Sequence, residues 1–213
     1  VELLGTGRDA DVFALGPDRV LRRSRDGRSS EREAGLMRQL VDLGYPLPRV
    51  HSAAGPELVM DRVDGPTLGE ALLIGAVDAS HGAGLLAGLH RDLHDLAWPG
   101  AGPGECLVHL DLHPLNVILT ASGPVLIDWT NARVGRAGLD VAVTVLVLVQ
   151  VGLADDALRE VLLPFTEEFA ARAATPYAAE LAEATAFRRA NPHQTEDEAA
   201  RFDEAVEITR RWA

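Results

Sequence analysis

The sequence predicts an α+β protein in two lobes, a small β-rich N-lobe over residues 1–63 and a mainly helical C-lobe over residues 64–213. Three observations point there. Five short apolar segments that suit strands, together with one amphipathic helix, fill the first 63 residues. Asp64-Gly65-Pro66 then interrupts the pattern. Beyond it, apolar residues recur mostly at helical spacing, with one small β insert.

In chain order, Leu3-Leu4 and Asp11 to Leu15 read as strands around a glycine turn, Gly5-Thr6-Gly7 to Ala10. Arg19 to Arg23 is a third strand. Ser30-Glu31-Arg32-Glu33 has capping-box spacing and opens a helix whose stripe is Met37, Leu40 and Val41. Gly44, Pro46 and Pro48 stop it. Arg49 to His51 and Glu57 to Met60 complete the strands. In the second lobe helices are expected over Thr67 to Ile74, Gly84 to Trp98, Leu139 to Leu153, Asp156 to Ala173, Pro176 to Asn191 and Glu196 to Trp212. Thr195 and Glu198 form a second capping box before the last. The β insert is a hairpin of Val117–Leu119 and Val125–Ile127.

Composition narrows the function. The chain of 213 residues carries 20 basic and 32 acidic groups, net −12, which disfavours nucleic acid and anionic membranes as partners. Every basic residue is arginine, so lysine Schiff-base and lysine general-base chemistry are excluded. A single cysteine, Cys106, rules out an intramolecular disulfide and a cysteine-rich zinc site. The first residues lack the basic start and apolar core of a secretory signal, so a cytoplasmic protein is expected. Val141 to Val151 is apolar but shorter than the ~20 residues that span a bilayer, and reads as a buried helix.

Charge is unevenly placed. Residues 1–63 hold 10 acidic and 10 arginine residues, so the whole net charge lies after Val63. Two readings stand: a solvated acidic surface, or a neutral phosphate-handling part beside an acidic part that attracts a cationic substrate.

The chemistry concentrates in His109-Leu110-Asp111-Leu112-His113-Pro114-Leu115-Asn116, with Asp128 twelve residues on in Ile127-Asp128-Trp129. This order suits phosphoryl transfer. Asp111 can orient and deprotonate a hydroxyl, while the Asn116 amide oxygen and the Asp128 carboxylate can hold Mg²⁺ on nucleotide phosphates. A rival reading puts His109, Asp111 and His113 on one strand face as a hydrolase metal site, but it leaves Asn116 and Asp128 without a role.

These segments resemble the catalytic loop and the metal-binding Ile-Asp-Trp of the aminoglycoside phosphotransferase family, small-molecule kinases related to the protein kinases. Weaker matches run over roughly residues 3–150: Glu33-Ala34, Pro46 to Val50, Val59-Met60-Asp61, Leu89-His90 and Asp140-Val141-Ala142. The resemblance implies a two-lobed protein-kinase-like fold and an ATP- and Mg²⁺-dependent phosphotransferase acting on a hydroxyl of a small molecule, such as an aminoglycoside or other amino sugar. It implies that Gly5, Thr6 and Gly7 cover the phosphates and that Val20 packs on adenine. Arg22 would contact the α- and β-phosphates where most kinases use lysine. Glu33 would pair with Arg22, in competition with capping at Ser30. Met60 would lie behind the adenine, and main-chain groups of Asp61 and Val63 would meet its edge. His109 and His113 would be scaffolding, and Asp140 a brace for the catalytic loop.

Two other classes stay open at this point: a nucleotide-binding pseudokinase acting as a regulatory module, and a protein kinase. The missing lysine and third glycine allow the first. The second lacks Asp-Phe-Gly and Ala-Pro-Glu, and Asp128 to Asp140 is short for an activation loop.

Overall fold

A computed structural model describes every residue except Val1, Arg8 and His193. The fold is α+β and forms two compact units, residues 1–66 with 118–130, and residues 67–117 with 131–213. The sequence pattern suggested one boundary after Val63. The structure instead carries the first unit to Pro66 and returns the chain to it for the hairpin and the segment up to Thr130.

The first unit is an antiparallel sheet of five strands: β1 (Glu2–Thr6), β2 (Ala10–Ala14), β3 (Arg19–Ser24), β4 (Val50–Ala54) and β5 (Glu57–Asp61), in the order β1-β2-β3-β5-β4. Strand β1 runs past the expected Leu4 to Thr6, so Gly5 lies inside it, where the register shifts. Helix α1 (Glu31–Asp42) packs against β4. Its Ala34, Met37 and Leu40 are buried, and each large apolar side chain so buried contributes about 1.5–3 kcal/mol. The capping box that the Ser30–Glu33 spacing allows does not form. The Ser30 hydroxyl instead donates to the carbonyls of Gly55 and Glu57.

Strands β6 (Cys106–Val108), β7 (Val117–Thr120), β8 (Gly123–Leu126) and β9 (Arg133–Gly135) follow in the chain, with β7 paired to β8 and β6 to β9. The β7–β8 hairpin is tied into the first unit by its main chain: the amide of Leu119 donates to Pro66 and that of Leu126 to Pro46, both at 2.9 Å. Gly65 makes this approach possible. It has φ +152°, and a Cβ there would lie 2.2 Å from the carbonyl oxygen of Leu119. After β8, Trp129 is buried, its indole N–H donating to Leu126 and its ring meeting Tyr45 edge-on at 5.5 Å.

The second unit is helical apart from the short β6–β9 ribbon, which the sequence pattern did not suggest. Helix α2 (Leu68–Leu73) starts with a capping box of Thr67 and Glu70. Helix α3 (Ala79–His94) begins five residues before the expected Gly84, because the carboxylate of Asp78 caps it by accepting from the His81 amide. Helix α4 (Ala137–Ala154) is buried nearly all round and packs against α5 (Asp156–Ala173), α6 (Leu181–Arg189) and α8 (Phe202–Trp212). By length and composition α4 could cross a membrane, but its burial makes it the core helix of this unit. The expected last helix is divided at Arg201 into α7 (Glu196–Ala200) and α8.

A polar network crosses the helical core. Gln150 of α4 accepts from the guanidinium of Arg188 at 2.8 Å and donates to Gln194 and to the main chain of Glu198. Arg188 also pairs with the Glu198 carboxylate at 3.1 Å, and both are buried.

Candidate active site

In the second unit, β6 delivers the chain into the loop that carries Asp111. Leu110 is fully buried and left-handed, φ +63°, a conformation unfavourable for a branched residue by ~1–2 kcal/mol. Asp140, in the first turn of α4, offsets that cost. Its carboxylate accepts from the main-chain amides of His109 at 3.0 Å and Leu110 at 2.7 Å. Burial opposes the charge on Asp140, but hydrogen bonds from His94 and from the loop amide, with the nearby imidazoles, hold its carboxyl below the usual carboxylate range. One turn along α4, Thr144 donates to the carbonyl of Leu112 at 2.9 Å.

The next residues follow from this clamp. His109 is buried, and its Nδ1 accepts from the Asp111 amide at 3.2 Å, which fixes the loop from inside. The Asp111 side chain keeps 33% of its surface exposed, enough to meet a substrate hydroxyl. A 3-10 turn, Pro114–Asn116, brings Asn116 back over it. The Asn116 amide nitrogen donates to the Asp111 carbonyl at 2.9 Å and lies 3.3 Å from its carboxylate. With that nitrogen committed, the amide oxygen is the end of Asn116 left to ligate a cation. The His113 Nε2 stands 3.5 Å from the Asp111 carboxylate. The two histidines thus steady the loop.

In the first unit, Arg22 of β3 is buried and forked. One nitrogen pairs with Glu33 of α1 at 2.7 Å; the other contacts Asp128 at 3.3 Å and donates to the Thr130 hydroxyl. Burial works against the arginine charge, but the carboxylates of Asp128 and Glu33 outweigh it and raise its pKa. Glu33 therefore pairs with Arg22 instead of reaching back to Ser30. Asp128 is left-handed, φ +62°, which aspartate tolerates better than most residues. Its Oδ1 accepts from Thr130 at 2.8 Å and from Arg22, while its Oδ2 takes part in neither contact.

Asp128 and Asn116 thus each offer an oxygen, the donor type Mg²⁺ takes, and the two residues fit that ion in kind. They lie in different units, Asp128 in the first and Asn116 in the second.

The remaining nucleotide candidates all lie in the first unit. Val20 is buried and pairs across the sheet with Met60. Asp61 donates its amide to the Arg49 carbonyl at 2.9 Å, and its carboxylate accepts from the Arg49 amide and contacts His51. Its N–H is taken, so a base edge could meet only its carbonyl; Val63 follows beyond the strand. At the glycine turn, the Gly7 amide donates to Ala10, Thr6 closes β1, and a Cβ at Gly5 would meet nothing within 4 Å. The main chain there is open to approach.

Three residues that shape these sites were not singled out from the sequence. Thr130 bridges Asp128 and Arg22, and only its place two residues after Asp128 hints at it. Thr144 and His94 act through contacts remote in sequence.

The profile of the phosphotransferase enzyme family matches residues 1–105 and 96–181. No curated protein sequence matches. Among solved structures, the ADP-bound aminoglycoside phosphotransferase APH(2'')-Ib superposes with a TM-score of 0.60 at 14% identity, over 99% of this chain and 92% of that one. The gentamicin complex of APH(2'')-IIa gives 0.64 at 13%, over 99% and 92%. A choline/ethanolamine kinase family protein from Mesorhizobium loti gives 0.62 at 15%, over 99% and 87%. With most of its length matched by the family profile, the chain belongs to the phosphotransferase enzyme family, and it shares the fold of these kinases.

Proposed function

We propose that this phosphotransferase moves the γ-phosphoryl group of ATP to a hydroxyl of a cationic small molecule, with Mg²⁺ held by Asn116 and Asp128. The observation that carries this reading is the Asp111–Asn116 pair. One amide nitrogen is spent on Asp111, so a carboxylate for the acceptor and an amide oxygen for a cation stand side by side in one braced loop.

In the step proposed, the acceptor oxygen bonds to the γ-phosphorus as the bond from that phosphorus to the β–γ bridging oxygen breaks. Asp111 orients the hydroxyl and takes its proton, and ADP leaves. Arg22, kept charged by Glu33 and Asp128, is the cation assigned to the α- and β-phosphates. Val20 and Met60 flank the adenine, Asp61 and Val63 face its edge through the main chain, and Gly5, Thr6 and Gly7 lie over the phosphates. The bound metal would neutralise phosphate charge. Most of the rate would come from positioning.

A cationic acceptor is supported by the charge pattern, since the whole −12 lies after Val63. It is also supported by the neighbours, one crystallised with gentamicin and another named for choline and ethanolamine. The test is a panel of amino sugars, amino alcohols and neutral sugars with ATP and Mg²⁺, with the phosphorylated product read by ³¹P NMR at low salt and at ~0.15 M, where the Debye length is ~8 Å. A phosphorylated cation whose turnover weakens with salt is expected. A neutral or anionic best acceptor with a flat salt response would remove the acidic part from recognition. Nucleotide binding with no turnover on any acceptor would favour a regulatory module.

A further inference from the structure

Behind the catalytic loop, three groups converge that phosphoryl transfer does not need together. His90 and His94 lie one turn apart on α3, and both face Asp140 of α4. The His94 Nε2 is 3.0 Å from Asp140 Oδ2, and the His90 Nδ1 is 3.6 Å from the same oxygen. The three ligand-type atoms lie within 4.8 Å of one another.

The hydrogen bonds fix what each atom presents. Thr144 donates its hydroxyl hydrogen to the Leu112 carbonyl, so its oxygen accepts from the His90 Nε2–H at 3.2 Å. A neutral His90 therefore carries a bare lone pair on Nδ1. That nitrogen is buried and has no hydrogen-bond partner. A lone pair facing a carboxylate oxygen at 3.6 Å is two acceptors turned on one another, an arrangement that a cation between them relieves.

We propose that His90 Nδ1, His94 Nε2 and Asp140 Oδ2 form a binding site for a borderline divalent cation of the Zn²⁺ class. Two imidazoles at i and i+4 on one helix face, with a carboxylate from a second helix, are ligands that suit zinc and not Mg²⁺. Bonds of about 2.0–2.1 Å in a tetrahedron set ligand atoms about 3.3 Å apart, and the observed 3.0 and 3.6 Å lie on either side of that value. On binding, His94 shifts its proton from Nε2 to Nδ1, and the metal takes the place of the His94 hydrogen at Asp140. The amides of His109 and Leu110 keep their bonds to the same carboxylate, so the site sits directly on the support of the catalytic loop. His94 lines an open cleft of about 310 Å³ together with Arg91, Glu105 and Cys106, and a cation would enter from that side.

The test is calorimetric titration of the full, untagged, chelator-stripped chain with Zn²⁺, in the absence of nucleotide. One Zn²⁺ per chain is expected, undisturbed by millimolar Mg²⁺. His94→Gln, which keeps a donor to Asp140, should weaken binding at least tenfold. Asp128→Ala should leave it unchanged, which separates this site from the proposed nucleotide metal. No stoichiometric Zn²⁺, or equal affinity in His94→Gln, overturns the proposal. Should that variant fail to fold, zinc-edge X-ray absorption on the natural chain decides. Two imidazole nitrogens at about 2.0–2.1 Å support the site, and a shell without imidazole overturns it.

Discussion

Asp140 holds Leu110 in its left-handed conformation: the Oδ1 of one accepts the main-chain N–H of the other at 2.7 Å. The loop bearing Asp111 thus depends on a buried carboxylate thirty residues away. Asp140→Asn keeps the size and loses the charge. Each hydrogen bond to a charged group contributes about 1.5–3 kcal/mol, so stability should drop by roughly that amount or more. Phosphotransfer should fall with it even where the variant is still folded. Urea unfolding together with turnover on folded protein checks both.

Asp111→Asn should behave differently. The residue is partly exposed, and an asparagine oxygen there can still accept from Asn116, so unfolding should move little. Turnover should fall ~10²–10⁴-fold, the usual range for a general-base and positioning group. ADP release in a coupled assay, with nucleotide affinity measured beside it, shows whether binding survives while transfer is lost.

Arg22 and Glu33 are both buried; removing Arg22 strips Glu33 of its ion partner, whereas removing Glu33 leaves Arg22 paired with Asp128 and Thr130. Arg22→Met, which leaves the Glu33 carboxylate buried without its cation, should cost about 3–5 kcal/mol, and Glu33→Met less, because Asp128 still faces the guanidinium. The double variant should recover part of this, with a coupling of ~0.5–3 kcal/mol in a double-mutant cycle. Additive losses would show that the pair does not act as a unit. Arg22→Lys should also be deficient, because one ammonium cannot serve Glu33, Asp128 and Thr130 as the fork does.

His90 makes stability depend on pH. Its folded pKa is held near 3 by burial, below the ordinary ~6.5 of the unfolded chain. Below about pH 6.5 the unfolded chain binds a proton that the folded chain refuses. Stability should therefore fall as pH drops from 6.5 toward 3, by up to about 1.4 kcal/mol per unit from this residue. Asp140, depressed in the fold, adds in the same direction once pH enters the unfolded carboxylate range. Denaturant midpoints between pH 7 and 5 test the first part, and His90→Gln should flatten that slope.

The phosphotransfer motif was legible because its residues are close in the chain and chemically distinctive. The Asp111–Asn116 contact spans five residues, and Asp128 follows one short hairpin. The Arg22–Glu33 pair was legible only through family likeness, since Ser30 offered Glu33 an equally good local partner; the sheet settles it by drawing the Ser30 hydroxyl to Gly55 and Glu57. Strands β6 and β9 are three residues each, too short for alternation to register. The start of α3 was hidden because Ser80, His81, Gly82 and Gly84 are modest helix formers, and a single cap at Asp78 outweighs them. The break at Arg201 interrupts an amphipathic pattern that reads as continuous. The hairpin's place in the first unit rests on main-chain bonds to Pro46 and Pro66, which leave no side-chain signature.

Helix α4 has a consequence for protein engineering. It carries Asp140 and Thr144 under the catalytic loop and, six residues farther on, Gln150 among Arg188, Gln194 and Glu198. Deleting α7 and α8 would strip the Glu198 carbonyl from Gln150 and the Glu198 carboxylate from the Arg188 guanidinium. Grafting a foreign C-terminal segment to change acceptor preference would do the same unless it restored those groups. A library built to retarget this enzyme should hold positions 150, 188, 194 and 198 constant and vary the solvent-facing positions of the helices around them. Otherwise the screen would select mainly for clones that still fold.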